Sequence, residues 1–138
     1  MAKTTWWLRI VGGFYLLLTL MNLSLLFFNP AVFTGMLPPG LTGNEAAASA
    51  FRDAWLVFVL ELGVLGGMLL YASRQPAQAR LLVLTVIWAE VFRGIVADVI
   101  WILRGWPVAS YIPFIIIHVI IIATGVWIMR QGRGAARA

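Results

Sequence analysis

Four stretches of the chain are nearly unbroken runs of apolar residues, and the polar residues collect between them. The first run extends from Trp6 to Phe28 and stops at Asn29-Pro30; the others cover residues 54–72, 81–103 and 112–129. At ~1.5 Å of rise per residue each run crosses ~30 Å of hydrocarbon as an α-helix, the second and fourth with a little snorkelling of flanking side chains. The pattern predicts a single all-α domain over residues 1–138, an integral membrane four-helix bundle. Lys3 ahead of the first run imitates a signal peptide, but the run is longer than the ~7–15 apolar residues of a signal core and no small-x-small cleavage site follows it. It is expected to be an uncleaved span.

The longest segment outside the runs, residues 29–53, starts with turn formers (Asn29-Pro30, then Pro38-Pro39-Gly40). Thr42-Gly43-Asn44-Glu45 then has the Thr-x-x-Glu spacing of a capping box, ahead of an alanine-rich stretch that favours helix. The second helix is therefore expected to begin near Gly43, outside the membrane, and to enter it unbroken. Lys3, Arg9, Arg74, Arg80, Arg130, Arg133 and Arg137 fall on one side of the predicted bilayer, and only Arg52 and Arg104 on the other. That asymmetry places both termini in the cytoplasm and the 29–53 loop outside the cytoplasmic (inner) membrane. Trp6, Trp7, Trp55, Trp106, Tyr111 and Trp127 sit near span ends, where amphipathic rings anchor at headgroup level.

Composition supports the membrane reading. The chain is 62% hydrophobic and 11% charged, with a mean hydropathy of +0.96, whereas soluble domains carry roughly 25% charged residues. The net charge of +5 could suggest a nucleic-acid partner, but the basic residues are dispersed at the ends of apolar runs and form no patch. Without cysteine there is no thiol chemistry, and with one histidine there is neither a multi-histidine metal centre nor a bis-histidine haem in one chain. No cofactor motif is present, so neither a cofactor nor a metal is expected.

The chemistry lies in the polar residues inside the runs. Glu61, Glu90, Arg93, Asp98 and His118 would each cost several kcal/mol facing lipid, so they are expected to point inward. On a helical wheel Glu90, Arg93, Gly94, Ala97, Trp101 and Arg104 share one face, with Asp98 at its edge. Gly12, Tyr15, Thr19 and Asn22 share a face of the first helix, while Tyr111, His118 and Gly125 recur every seven residues in the fourth. Gly63, Gly66 and Gly67 lie opposite Glu61, which suggests a close helix contact on the glycine side and Glu61 in the polar interior. The alternative is a homo-oligomer through the same glycines. Tyr15, Asn22, Glu61, Glu90, Arg93, Asp98 and His118 are thus the candidate cluster. Three carboxylates against one arginine cannot all stay charged in low dielectric, so a bound proton or cation is expected.

Such a cluster is either polar glue that sets helix register or a site. As a site, walled by Trp88, Trp101 and Phe114, it suits an amphipathic small molecule such as a lipid, a quinone or a hydrophobic aromatic. An enzyme pairing Glu61 or Glu90 with His118 is a weaker reading, because no nucleophile or oxyanion donor accompanies the pair. An accessory subunit that binds partner helices is a third.

The chain also resembles the BphX-like family of small bacterial membrane proteins, and more loosely the DoxX-like four-helix group. The resemblance rests on Trp6-Trp7-Leu8-Arg9, Gly12-Gly13-Phe14-Tyr15, Asn29-Pro30, Arg52-Asp53-Ala54-Trp55 and Glu61-Leu62-Gly63. It continues through Glu90-Val91-Phe92-Arg93-Gly94 with Asp98, Arg104-Gly105, and His118 with Gly125. It implies four helices and, through the family's association with biphenyl-degradation gene clusters, points toward apolar aromatic or lipid-like molecules; it implies no established activity.

Overall fold

The computed structural model describes residues 2–37, 39–41 and 43–134, and helix is the regular structure throughout them. The order is α1 (Ala2–Phe28), α2 (Ala31–Thr34), a 3-10 turn (Pro39–Leu41), α3 (Glu45–Ala72), α4 (Arg80–Ala89), a π-helical segment (Glu90–Val96), α5 (Ala97–Leu103) and α6 (Val108–Gly134). Three helices are long and apolar enough to cross a membrane: α1, α3 and the Val108–Gln131 part of α6. Residues 80–103 form a further continuous helical run, made of α4, the π segment and α5 end to end.

Local chemistry explains the helix ends. Proline disfavours helical geometry in the residue before it, so α1 stops at Phe28, ahead of Asn29-Pro30. α3 starts two residues later than a Thr42 cap would put it: Asn44 is the N-cap and accepts from the Ala47 N–H at 3.0 Å. Thr42 itself, like Arg137, lies outside the described residues. From Glu45 the helix then runs unbroken to Ala72. At the end of α5, Gly105 takes φ 90°. The Trp106 N–H reaches the Trp101 carbonyl at 3.1 Å and the Gly105 N–H that of Ile102 at 3.0 Å. This is a Schellman stop, and it lays Trp106 against Trp101, ring centroids 6.0 Å apart.

α1 packs along α3, α6 packs against α4, the π segment and α5, and α1 closes the bundle against α6. The α1–α3 contact depends on glycine. A Cβ on Gly12 would stand 2.9 Å from the Gly66 carbonyl oxygen, and one on Gly66 would stand 3.0 Å from that of Gly12. Gly63 faces Thr19 in the same way, at 3.0 Å. The close contact expected on the glycine side of this helix is therefore made by Gly63 and Gly66 within the chain, while Gly67 has open space around it. On the other side Gly125 admits Ile87 of α4 and Trp7 of α1 to one spot. Trp7, read from sequence as a headgroup anchor, is buried there and donates its indole N–H to Thr124 Oγ at 3.0 Å.

Around these contacts Leu8, Val11 and Tyr15 meet Leu62, Leu69, Val83, Val86, Ile87, Ile121 and Ile128 in one core. Leu17, Leu20, Val64, Leu81 and Ile120 among others point outward. Because the Gly66 site has no room, Gly66→Val is expected to destabilise the protein by about 1–3 kcal/mol. Gly67→Val, in open space, is expected to leave the melting temperature in detergent within a degree or two of the parent, and comparing the two melts checks the packing.

Candidate functional site

Glu90 is the hub of the polar residues. It is 2% exposed, at the start of the π segment. The phenol of Tyr15 on α1 donates to its Oε1, and His118 Nδ1 on α6 lies 2.5 Å from its Oε2. Arg93 Nη2 stands 3.9 Å from Oε1, with its guanidinium 5.1 Å from the centre of the Phe58 ring on α3. The far nitrogen of the same imidazole, Nε2, is 3.6 Å from Asp98 Oδ2. Tyr15, Glu90, His118 and Asp98 therefore form one line, drawn from α1, the π segment, α6 and α5.

The π segment and a glycine explain how two carboxylates share one imidazole. In an α-helix, positions four apart drift by ~40° around the axis. A π turn, bonded i to i+5, is wider and takes back part of that drift. Glu90, Gly94 and Asp98 consequently stay in register opposite α6. Gly94 is where the ring fits: a Cβ there would lie 2.6 Å from both Cγ and Nδ1 of His118. No alanine fits that space. The regular helix expected for residues 81–103 is thus corrected by a seven-residue π segment, at the point where chemistry is concentrated.

An imidazole placed between two carboxylates donates from both nitrogens only as the imidazolium. Counted with Arg93, the group of Glu90, Asp98 and His118 carries one negative charge in excess when His118 is neutral and none when it holds the second proton.

Other candidates are placed elsewhere. Glu61 is exposed on the outer face of α3 and does not enter the interior. Asn22 is also apart from Glu90: its Nδ2 donates to the Leu18 carbonyl at 2.8 Å, and its Oδ1 accepts from Trp55 Nε1 at 3.0 Å, so its amide ties α1 to α3. Trp88 and Phe114, expected as walls, are 58% and 41% exposed and face outward. Trp101 does lie near the cluster, one turn beyond Asp98, with its ring centroid 5.6 Å from that of buried Tyr111 and 6.5 Å from that of Trp55. Phe51 and Trp106 extend this aromatic group. Tyr111 is thus interior and no headgroup anchor. Tyr111, His118 and Gly125 do share the inward side of α6, as their seven-residue spacing implies.

One atom in the site has an unmet requirement. Asp98 Oδ2 is buried and, among the described residues, accepts no hydrogen bond. Buried acceptors of this kind are rare. Gly94 is the residue whose role the composition of the cluster did not reveal, although its place halfway between Glu90 and Asp98 was the available signal. Gly94→Ala is expected to push the imidazole off Glu90. Because His118 is the only histidine, selective 15N-histidine labelling gives one pair of ring resonances, and both should shift in the variant; unchanged resonances would mean that the ring does not rest on Gly94.

No curated protein and no solved structure matches the chain. A family model described as BphX-like matches residues 1–134, nearly the whole length and all of the helices described above. The chain belongs to the BphX-like family.

Proposed function

We propose that this protein crosses the cytoplasmic membrane four times, with residues 80–103 as the third crossing and both termini in the cytoplasm. In this reading it binds a small apolar molecule that carries a hydrogen-bond donor. The ligand's apolar body lies against Trp101, Trp55 and Tyr111, and its donor serves Asp98. The four-crossing reading draws on the length of the continuous run from Arg80 to Leu103 and on the bias of Lys and Arg toward one side. The observation that carries the ligand reading is the unmet acceptor, Asp98 Oδ2, buried beside His118 and the aromatic group. A hydroxyl on an apolar molecule meets both needs, and a phenol-like ring adds stacking of the kind aromatic walls favour.

A second reading draws on the Glu90–His118 pair at 2.5 Å. Its proton can pass toward Asp98 through the imidazole, so acid/base chemistry on the bound hydroxyl compound would use His118 as the exchanging group and Glu90 with Tyr15 to orient it. In this form the pair is Glu90 with His118, Glu61 having no part in it.

Topology is checked with reporters: fusions at the C-terminus and between α3 and α4 are expected to read cytoplasmic, and one inserted near Gly40 external. For the ligand, protein in phospholipid vesicles is titrated with 4-nonylphenol and with nonylbenzene, which lacks the hydroxyl, and tryptophan fluorescence is followed. Nonylphenol is expected to bind at least about tenfold more tightly, the value of one buried hydrogen bond to a charged group. Asp98→Val should abolish that difference, since it removes the acceptor that the hydroxyl would serve. Equal binding of the two compounds to the parent protein would sink the reading.

A further inference from the structure

α3 has two faces with different fates. Leu62, Gly66 and Leu69 are buried against α1. On the other side Ala54, Val57, Glu61, Val64, Met68 and Tyr71 are all exposed. Their positions advance alternately by three and four residues, the spacing that keeps one seam of a helix facing a partner helix. Five of the six are what a lipid-facing stripe would contain. Glu61 is not: it lies near the middle of the apolar run 54–72, and among the described residues it has no hydrogen-bond or ion-pair partner. A carboxyl at that depth facing hydrocarbon is costly.

Among the described residues none relieves it internally. Arg93 and His118 are engaged with Glu90 and Asp98, and α1 occupies the opposite side of α3. The partner must come from outside. We propose that the exposed seam of α3 is a homodimer interface, packed in parallel against α3 of a second copy, with the two Glu61 carboxyls hydrogen-bonded across it. A second copy suits the seam for two reasons. Copies of one membrane protein insert with one orientation, so their α3 helices are parallel and present Glu61 at the same depth, related by a two-fold axis along the membrane normal. A single polar residue in an otherwise apolar heptad seam is also the device that sets register and oligomer number, here with one carboxyl keeping its proton to donate and the other accepting. Val57 and Val64, on either side of Glu61, would exclude lipid from that bond. This surface differs from the Gly63 and Gly66 contact, which α1 already fills, and the proposal is independent of any ligand at Asp98.

Because the chain has no cysteine, single cysteines report contacts cleanly. In native membranes under mild oxidation, Val57→Cys and Val64→Cys are expected to form disulfide-linked dimers. Leu17→Cys on α1 and Val119→Cys on α6, which are also exposed, should stay monomeric. In vesicles of phosphatidylethanolamine and phosphatidylglycerol, energy transfer between labelled copies should show Glu61→Leu weakening the dimer by about tenfold or more. Glu61→Gln, whose amide both donates and accepts, should preserve it and shows that the fold tolerates change there. Equal crosslinking at all four positions would mean random collision and would overturn the proposal. So would crosslinking of the α3 positions to some other protein and not to a second copy, or an undiminished dimer in Glu61→Leu.

Discussion

Glu90 must be satisfied inside the protein, because neither water nor lipid headgroups reach it. A buried carboxylate with too few partners would open the bundle, and this one takes them from three directions: the phenol of Tyr15, the imidazole of His118 and the guanidinium of Arg93. Each comes with its own helix or with a neighbouring turn of the same one. α1, the π segment and α6 are thereby tied at one level, and the apolar packing above and below has only to be compatible with that junction.

Close approach makes the junction possible. Helices in an apolar surrounding gain nothing from hiding apolar surface, since lipid is as apolar as leucine, so they associate through tight van der Waals contact and internal polar bonds. Gly12 against Gly66 brings α1 to α3, and Gly125 brings α1 and α4 to α6. Gly94 brings α6 so near the π segment that the His118 ring lies where a methyl group would be. The same geometry leaves Asp98 Oδ2 3.6 Å from the second nitrogen of that ring, buried and without a hydrogen bond among the described residues.

The unequal treatment of the acidic residues separates their roles. Glu90 and Asp98 share the histidine and stand within reach of the arginine or its partner, so their charges are partly balanced inside one chain. Glu61, on a helix whose inward side is taken by glycine contacts with α1, is turned outward.

Much of this was legible in the residues alone. Four apolar runs separated by turn formers determined where helix had to form, because backbone groups in hydrocarbon can be satisfied only within a helix. Asn29-Pro30 determined where the first helix ends, and the presence of Glu90, Arg93, Asp98 and His118 within the runs determined that a polar interior had to exist. Tertiary structure decided which of the polar residues meet. A helical wheel assumes one constant turn angle, so it could not register the π segment that aligns Glu90, Gly94 and Asp98 on His118. Nor could it choose between the two sides of α3. Either Glu61 or the glycines had to face inward, and the contact of Gly12 with Gly66 at backbone distance settled that in favour of the glycines, since only paired glycines on both helices allow it. Asn22 and Trp55 likewise found each other across α1 and α3, a long-range hydrogen bond that depends on how two helices are rotated, and rotation is set by packing that no single helix contains.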